Sequence, residues 1–273
     1  MSEIQAVVLG LIQGLTEFLP VSSSGHLTIF KTLFGLESGN DLNFEVAVHA
    51  ATVLSTIVAF RKDILTLLKG FFNLEMNPEK QYIFKIGVSM IPVFVVGMFF
   101  KEQVEEIFGS GLTVVGIMLL VTALLLSLSE ILAKKAEKRG KPGKPVGYKE
   151  AFVMGIAQAI AVLPGLSRSG STISTGLMLG VKKAEVAGFS FLMVLIPILG
   201  EAFLELVGGD FGSSAGSVGI LPLTLGFVTA FVSGLFACTL MINLVKRAKL
   251  WGFAVYCTLA GIACIVGTVL SGQ

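Results

Sequence analysis

The chain has 273 residues, of which 54% are hydrophobic and only 14% charged, with 20 Lys and Arg against 18 Asp and Glu. Together with a mean hydropathy of +0.87, this excludes a soluble globule of average make-up and predicts an integral membrane protein. Met1-Ser2-Glu3 has no basic lead-in, and the first apolar run stops at Glu17 and Pro20 without a small-residue cleavage site, so a signal peptide is not expected. Cys238, Cys257 and Cys264 lie in apolar runs without paired or ligand-like spacing, which favours packing roles over disulfides or a metal site.

The first apolar stretch, 4 to 36, is interrupted by Gln13-Gly-Leu-Thr-Glu17-Phe-Leu-Pro20-Val-Ser22-Ser23-Ser24-Gly25-His26. It reads as two half-helices around a re-entrant turn, because the Pro, Ser and Gly cluster breaks a helix and neither half alone crosses the hydrocarbon. Full spans are predicted over 44–60, 82–100 and 111–133. The basic stretch 134 to 150, with Gly140, Pro142, Gly143 and Pro145, reads as a solvated linker rather than a nucleic-acid-binding segment. The stretch 151 to 181 is a second interrupted one, broken by Pro164-Gly165-Leu-Ser167-Arg168-Ser169-Gly170-Ser171-Thr172, and spans follow over 186–207, 220–244 and 251–270. One kinked span per interrupted stretch is the alternative.

Positive charge gathers at Arg61, Lys62, Lys69 and Lys80, in the linker, at Lys182 and Lys183, and at Lys246, Arg247 and Lys249. These segments are expected on the cytoplasmic side. The loops 101–110 and 208–219, poor in basic residues, are expected outside. The alternation closes if both interrupted stretches return to the side they entered, with both termini outside.

A shift of 145 residues carries Gln13 onto Gln158, Ser22 onto Ser167, Ser24 onto Ser169, Gly25 onto Gly170 and Phe44 onto Phe189. The fold class expected is therefore an all-α polytopic membrane protein of two inverted repeats, 1–133 and 151–273, each one re-entrant helical hairpin plus three transmembrane helices. Three crossings is an odd number, so the halves are opposed and the broken tips can meet near the midplane.

Arg168 is the arginine deep in an apolar region, beside Ser167, Ser169 and Thr172 at the start of a half-helix. A guanidinium, hydroxyls and free N–H groups there suit a phosphate group, although pairing with an internal carboxylate such as Glu17 is the plainer alternative. Glu17 and Glu45 are candidate ligands for a hard divalent cation; Glu45 reads equally well as an interfacial helix-end carboxylate. Ser23 is a candidate nucleophile and His26 an acid/base partner. His49, four residues after Glu45, reads rather as a hydrogen-bonded core residue. Gln13 and Gln158 could simply satisfy broken backbone near each tip.

At these residues the chain resembles the bacterial undecaprenyl-diphosphate phosphatases of the bacitracin-resistance type. These carry a Glu/Gln-x-x-x-Glu pattern leading into Pro-Val-Ser-Ser-x-Gly-His, and a second Pro-Gly-x-Ser-Arg-Ser-x-x-Thr loop. The resemblance runs over essentially the full length. It implies hydrolysis of a C55 prenyl diphosphate lipid to the monophosphate within the bacterial plasma membrane, recycling the carrier used in peptidoglycan synthesis, with a divalent cation, Mg²⁺ or Ca²⁺, as cofactor. The implied catalytic residues are Ser23, His26, Glu17 and Arg168. The substrate-binding set is Gln13, Ser22, Ser167, Ser169, Thr172, Gly165 and Gly170, and the metal ligands are Glu17 and Glu45. Gln13 is the amide variant of a position that is often Glu. Membrane lipid is the expected surrounding, a homodimer is allowed, and no nucleic-acid partner is expected. Direct attack by water, with Ser23 as a phosphate ligand, stays open beside attack by Ser23. A transporter or flippase of a prenyl phosphate lipid is the rival function, since paired re-entrant loops are transporter architecture; an anion channel is poorly supported by a single deep arginine. Phe71, Phe72, Phe99 and Phe100 are candidates for the lining of a lateral opening to the bilayer.

Overall fold

A computed structural model describes residues 1–36, 42–100, 103, 111–140, 142–208, 218–247 and 249–271. Most of the loops 101–110 and 208–219, expected outside, lies outside the described residues. The described chain is helical: α1 (Glu3–Phe18), α2 (Ser23–Leu33), α3 (Leu42–Ala59), α4 (Arg61–Phe71), α5 (Pro78–Phe99), α6 (Gly111–Lys138), α7 (Tyr148–Ile160), α8 (Arg168–Met178), α9 (Lys183–Gly208), α10 (Ile220–Arg247) and α11 (Trp251–Ser271). Five of these are long and apolar enough to cross a membrane, and the bent pair α3–α4 passes the same test only when its two helices are taken together. The five fall where the apolar runs predict spans, and α3 falls on the predicted span 44–60.

Both interrupted stretches are helix pairs. Ser2 caps α1 by accepting from the Gln5 N–H at 3.3 Å while Gln5 Oε1 accepts from the Ser2 N–H at 2.8 Å. The helix stops at Phe18, because Pro20 forces Leu19 toward extended backbone, with ψ 143°. At 1.5 Å per residue, α1 spans about 24 Å and α2 about 16 Å, each short of the roughly 30 Å hydrocarbon layer. The second pair repeats the first in register: a shift of 145 residues carries the start of α1 onto the start of α7 and both ends of α2 onto those of α8.

Each hairpin packs on a helix of the other half, α1 on α10 and α7 on α5. Glycines make both approaches close. A Cβ on Gly10 would lie 2.4 Å from the Gly226 carbonyl oxygen, and one on Gly14 would lie 2.5 Å from that of Ala230. Gly155, the counterpart of Gly10, would place its Cβ 2.2 Å from the Ser89 carbonyl oxygen. α6 packs along α11.

Two segments differ from the sequence expectation. The basic region after the first span is largely helix, because α4 turns 74° from α3. It exposes Leu65, Leu68 and Phe71 between its charges, the make-up of a helix lying along a membrane surface. The linker, in turn, is helical at both ends and pinned in the middle. The Lys144 N–H donates to the Gly180 carbonyl at 3.0 Å and the Lys182 N–H to that of Lys144 at 3.0 Å. The three cysteines are free, as expected, with Cys238 and Cys257 buried.

Gly155→Ala should cost more than about 2 kcal/mol, since backbone cannot yield to a new Cβ as a flexible side chain can. Gly188→Ala, which meets nothing within 4 Å, should be tolerated; thermal melting of the two variants in detergent compares them. At the linker, Lys144 Nζ donates to Glu150 Oε1 at 2.5 Å and holds that carboxyl below its ordinary 4.5. A depressed carboxyl contributes stability above its ordinary titration range and loses it as the pH falls through the lowered value. The melting temperature should therefore fall below about pH 4.5, and Lys144→Met should flatten that fall.

Candidate active site

The two hairpin tips touch. The Gly165 N–H donates to Ser24 Oγ at 3.4 Å, and the Ser169 hydroxyl donates to the Leu19 carbonyl at 3.2 Å. The Ser167 N–H finds Thr122 Oγ1 at 3.1 Å. Both second half-helices are capped alike: Ser22 Oγ accepts from the Gly25 N–H at 3.2 Å, and Ser167 Oγ accepts from the Gly170 N–H at 3.0 Å. Ser22 holds φ at +70°, in the left-handed region, the only non-glycine to do so among the described residues. Such strain persists where surroundings enforce it.

A cavity of about 440 Å³ lies between the tips. From the first come Thr16, Glu17, Ser22 and Ser23; from the second come Ala161, Val162, Ser167 and Arg168, their repeat counterparts one for one. Equal backbone positions thus present unequal chemistry, a hydroxyl and a carboxylate facing a guanidinium. Ser23 Oγ–H donates to Glu17 Oε2 at 2.6 Å, and Gln13 Nε2 donates to the same oxygen at 3.0 Å. Arg168 acts on Glu17 electrostatically, as does His49. No direct ion pair of Arg168 occurs among the described residues, leaving its guanidinium for a ligand. On the outer wall stand Val93, Val96 and Gly97 of α5 and Pro197 of α9.

The family described as bacitracin resistance protein BacA matches residues 6–263. The chain belongs to this family. It is 53% identical over 271 residues to an undecaprenyl-diphosphatase of Parabacteroides distasonis, an alignment covering 99% of this chain and 100% of the relative. To that of Bacteroides fragilis it is 54% identical over 265 residues, covering 96% and 97%. A more divergent undecaprenyl-diphosphatase, from Korarchaeum cryptofilum, is 36% identical over 268 residues, covering 95% and 97%.

In this member of the BacA family the cavity gathers Glu17, Ser22, Ser23, Glu45, Ser167 and Arg168 of the residues singled out from sequence. It does not gather the rest. His26 is 4% exposed, and its ring nitrogens bond to groups other than Ser23. Its Nδ1 meets the Ser22 carbonyl at 2.7 Å and its Nε2 the Tyr256 hydroxyl at 2.6 Å. A carbonyl only accepts, so Nδ1 carries the proton and Nε2 accepts from the Tyr256 O–H. The ring thus holds the strained Ser22 turn, and the carboxylate that accepts a hydrogen bond from Ser23 is Glu17. Gln13 is fully buried behind Glu17. Thr172 donates to the Arg168 carbonyl at 2.9 Å and pairs with Ser190, Ser169 ties the tips together, and Gly165 and Gly170 permit their close approach. At Gly165 a Cβ would stand 2.7 Å from Val115 Cα, and φ is +85°. These residues build the site rather than face its cavity.

Five polar lining residues were not singled out as site residues: Thr16, Ser24, Thr28, His49 and Gln158. His49 had one legible signal, its place one turn after Glu45 on the same helix face. Of the expected opening, Phe71, Phe72, Phe99 and Phe100 are exposed but do not line the cavity. Glu45 is itself held, in an ion pair with the buried Lys31.

An asparagine can donate to the Ser22 carbonyl as the imidazole does, but cannot act as a base. His26→Asn should therefore keep at least about ten times the turnover of His26→Ala, because a donor restored to a buried carbonyl recovers about 1–3 kcal/mol. Equal loss in both variants would return His26 to proton transfer.

Proposed function

We propose that the protein is a membrane phosphatase that hydrolyses undecaprenyl diphosphate to undecaprenyl phosphate and inorganic phosphate. The observation that carries this is the Ser23 hydroxyl, 2.6 Å from the Glu17 carboxylate, at the start of a half-helix and across a cavity from Arg168. A transporter of an anionic lipid needs the arginine and the helix ends, but not an activated serine. Near-full-length identity to proteins named undecaprenyl-diphosphatase supports the same reading.

Each buried CH₂ contributes about 0.8 kcal/mol, so the C55 chain keeps the substrate in the bilayer and the headgroup must enter sideways. The apolar α5 and α9 wall of the cavity suits that entry. In our reading the halves 1–133 and 151–273 are inverted repeats in a bacterial plasma membrane, with the 134–150 linker cytoplasmic and both termini outside. The paired packing of each hairpin on the other half supports it.

The donor set fits a hard divalent cation. Glu17 commits Oε2 to Ser23 and Gln13, Gln13 Oε1 is buried without a partner, and Glu45 lines the same cavity. A hard divalent cation at a phosphate site is commonly held by one or two carboxylates and completed by the substrate phosphate. Glu17 and Glu45 would hold Mg²⁺ or Ca²⁺, whose positive charge would offset the negative charge on the transferred phosphoryl group.

Arg168 and the α8 N-terminus hold the diphosphate while Glu17 takes the Ser23 proton. Ser23 Oγ then bonds to the terminal phosphorus, the bond from that phosphorus to the bridging oxygen breaks, and undecaprenyl phosphate departs. The departing undecaprenyl phosphate takes the proton from Glu17, and the carboxylate so restored deprotonates the water that cleaves the seryl phosphate, returns that proton to Ser23 Oγ and releases inorganic phosphate.

Purified protein should release phosphate from a C15 or C55 prenyl diphosphate only when Mg²⁺ or Ca²⁺ is supplied. Glu17→Gln, Ser23→Ala and Arg168→Ala should each lower the rate by about 10² or more. More than about a tenth of the rate surviving in Ser23→Ala would favour direct attack by water. Folded wild-type protein that releases nothing would point to lipid transport instead.

A further inference from the structure

The two Gln residues that the repeat places at equivalent positions, Gln13 and Gln158, have different fates. Gln13 donates one turn ahead to Glu17. The residue one turn ahead of Gln158 is Val162, whose side chain can accept nothing. Gln158 is 1% exposed, it lines the cavity, and neither its Nε2 nor its Oε1 has a hydrogen-bond partner. Buried amides are rarely left so. A polar group held at the cavity wall without a protein partner marks the place of a ligand, and this one stands on the same wall as Ser167 and Arg168.

The wall also tells which part of the headgroup it meets. α7, which carries Gln158, packs on α5, and α5 supplies the apolar Val93, Val96 and Gly97 to the cavity. Gly97 and the neighbouring Phe94 and Met98 face outward. A prenyl chain entering along α5 brings its own phosphate to Gln158, Ser167 and Arg168. The terminal phosphate is then carried across to Ser23 and Glu17 on the other tip.

We propose that Gln158 is a substrate-binding residue whose amide N–H donates to the lipid-attached phosphate of the diphosphate, the one that remains on the product. The inference rests on the phosphatase reading above. It divides the site by repeat: the first half acts on the phosphoryl group transferred, and the second half grips the phosphate retained. Because the amide is uncharged, it adds a directed hydrogen bond beside Arg168 without repelling the guanidinium.

The test uses full-length protein in detergent, with farnesyl diphosphate as substrate and farnesyl monophosphate and inorganic phosphate as inhibitors. Gln158→Leu should raise KM for the diphosphate and the inhibition constant of the monophosphate together, by about tenfold or more, with a much smaller change in kcat. Inhibition by inorganic phosphate should not change. The melting temperature of the free variant should equal or exceed that of the wild type, since an unpartnered buried amide is replaced by an apolar group of similar size. Gln158→Glu, of the same shape but anionic, should weaken the monophosphate further. Unchanged inhibition by the monophosphate would overturn the proposal, whether kcat falls or not; a fall in kcat alone would assign Gln158 to the transferred phosphate. A lower melting temperature with every constant shifted alike would make the residue structural. Monophosphate binding, read as a thermal shift of wild type and Gln158→Leu, decides the point even if wild-type protein hydrolyses nothing, an outcome that would sink the phosphatase reading instead.

Discussion

Two helices broken inside an apolar setting leave backbone donors and acceptors that neither water nor lipid can satisfy, and the whole structure follows from how that is resolved. The tips satisfy each other and the helices around them. Ser169 reaches the Leu19 carbonyl, Gly165 reaches Ser24, Ser167 reaches Thr122, and the Cys257 thiol lies 3.6 Å from the Pro20 carbonyl. Neither hairpin could be buried alone. Their contact requires small residues at the crossing, which is why Gly25 and Gly165 abut, with a Cβ on the former 3.1 Å from the Cα of the latter.

The two interrupted helix pairs form matching frames, and the residues that differ between them set the chemistry. Ser23 occupies the position that Arg168 holds in the second half, Glu17 that of Val162, Glu45 that of Ser190 and His26 that of Ser171. Matching caps at Ser22 and Ser167 aim both half-helix starts at one cavity. Two partial positive ends there suit an anion with two phosphates better than either end alone. One half then contributes a base and a hydroxyl, and the other a cation. Had the halves stayed identical, the cavity would be lined by like charges facing one another, and an unpaired charge at that depth is costly.

Strain and support meet at Ser22. A positive φ on a serine is disfavoured, and the His26 ring, fixed on its far side by Tyr256 with ring centroids 5.6 Å apart, anchors the carbonyl of that turn. Ser23 follows directly, so the turn sets where its hydroxyl stands against Glu17. A histidine in a serine-rich loop invites a reading as the base, because residue type and neighbourhood are all that sequence shows. Its direction depends on Tyr256, 230 positions away, and no local pattern encodes that.

What the sequence determined by itself is whatever depends on local composition and period. The six apolar spans, the two breaks at Pro20 and Pro164, and the repeat that aligns Gln13 with Gln158 all follow from where a helix can and cannot continue in an apolar chain. That Glu17, Ser23 and Arg168 would share one cavity was legible too, since ionisable and hydroxyl groups in such breaks have few other uses. Only the tertiary structure decided which polar residues face the cavity and which hold the tips together. Thr172, Ser169, Gly165 and Gly170 share a motif with Arg168 yet bond to backbone or permit close approach, while His49 and Gln158 reach the cavity from other helices. The physical reason is that a hydrogen bond is settled by direction and distance between groups far apart in the chain. Sequence records which groups are present, but only packing fixes which partner each one meets.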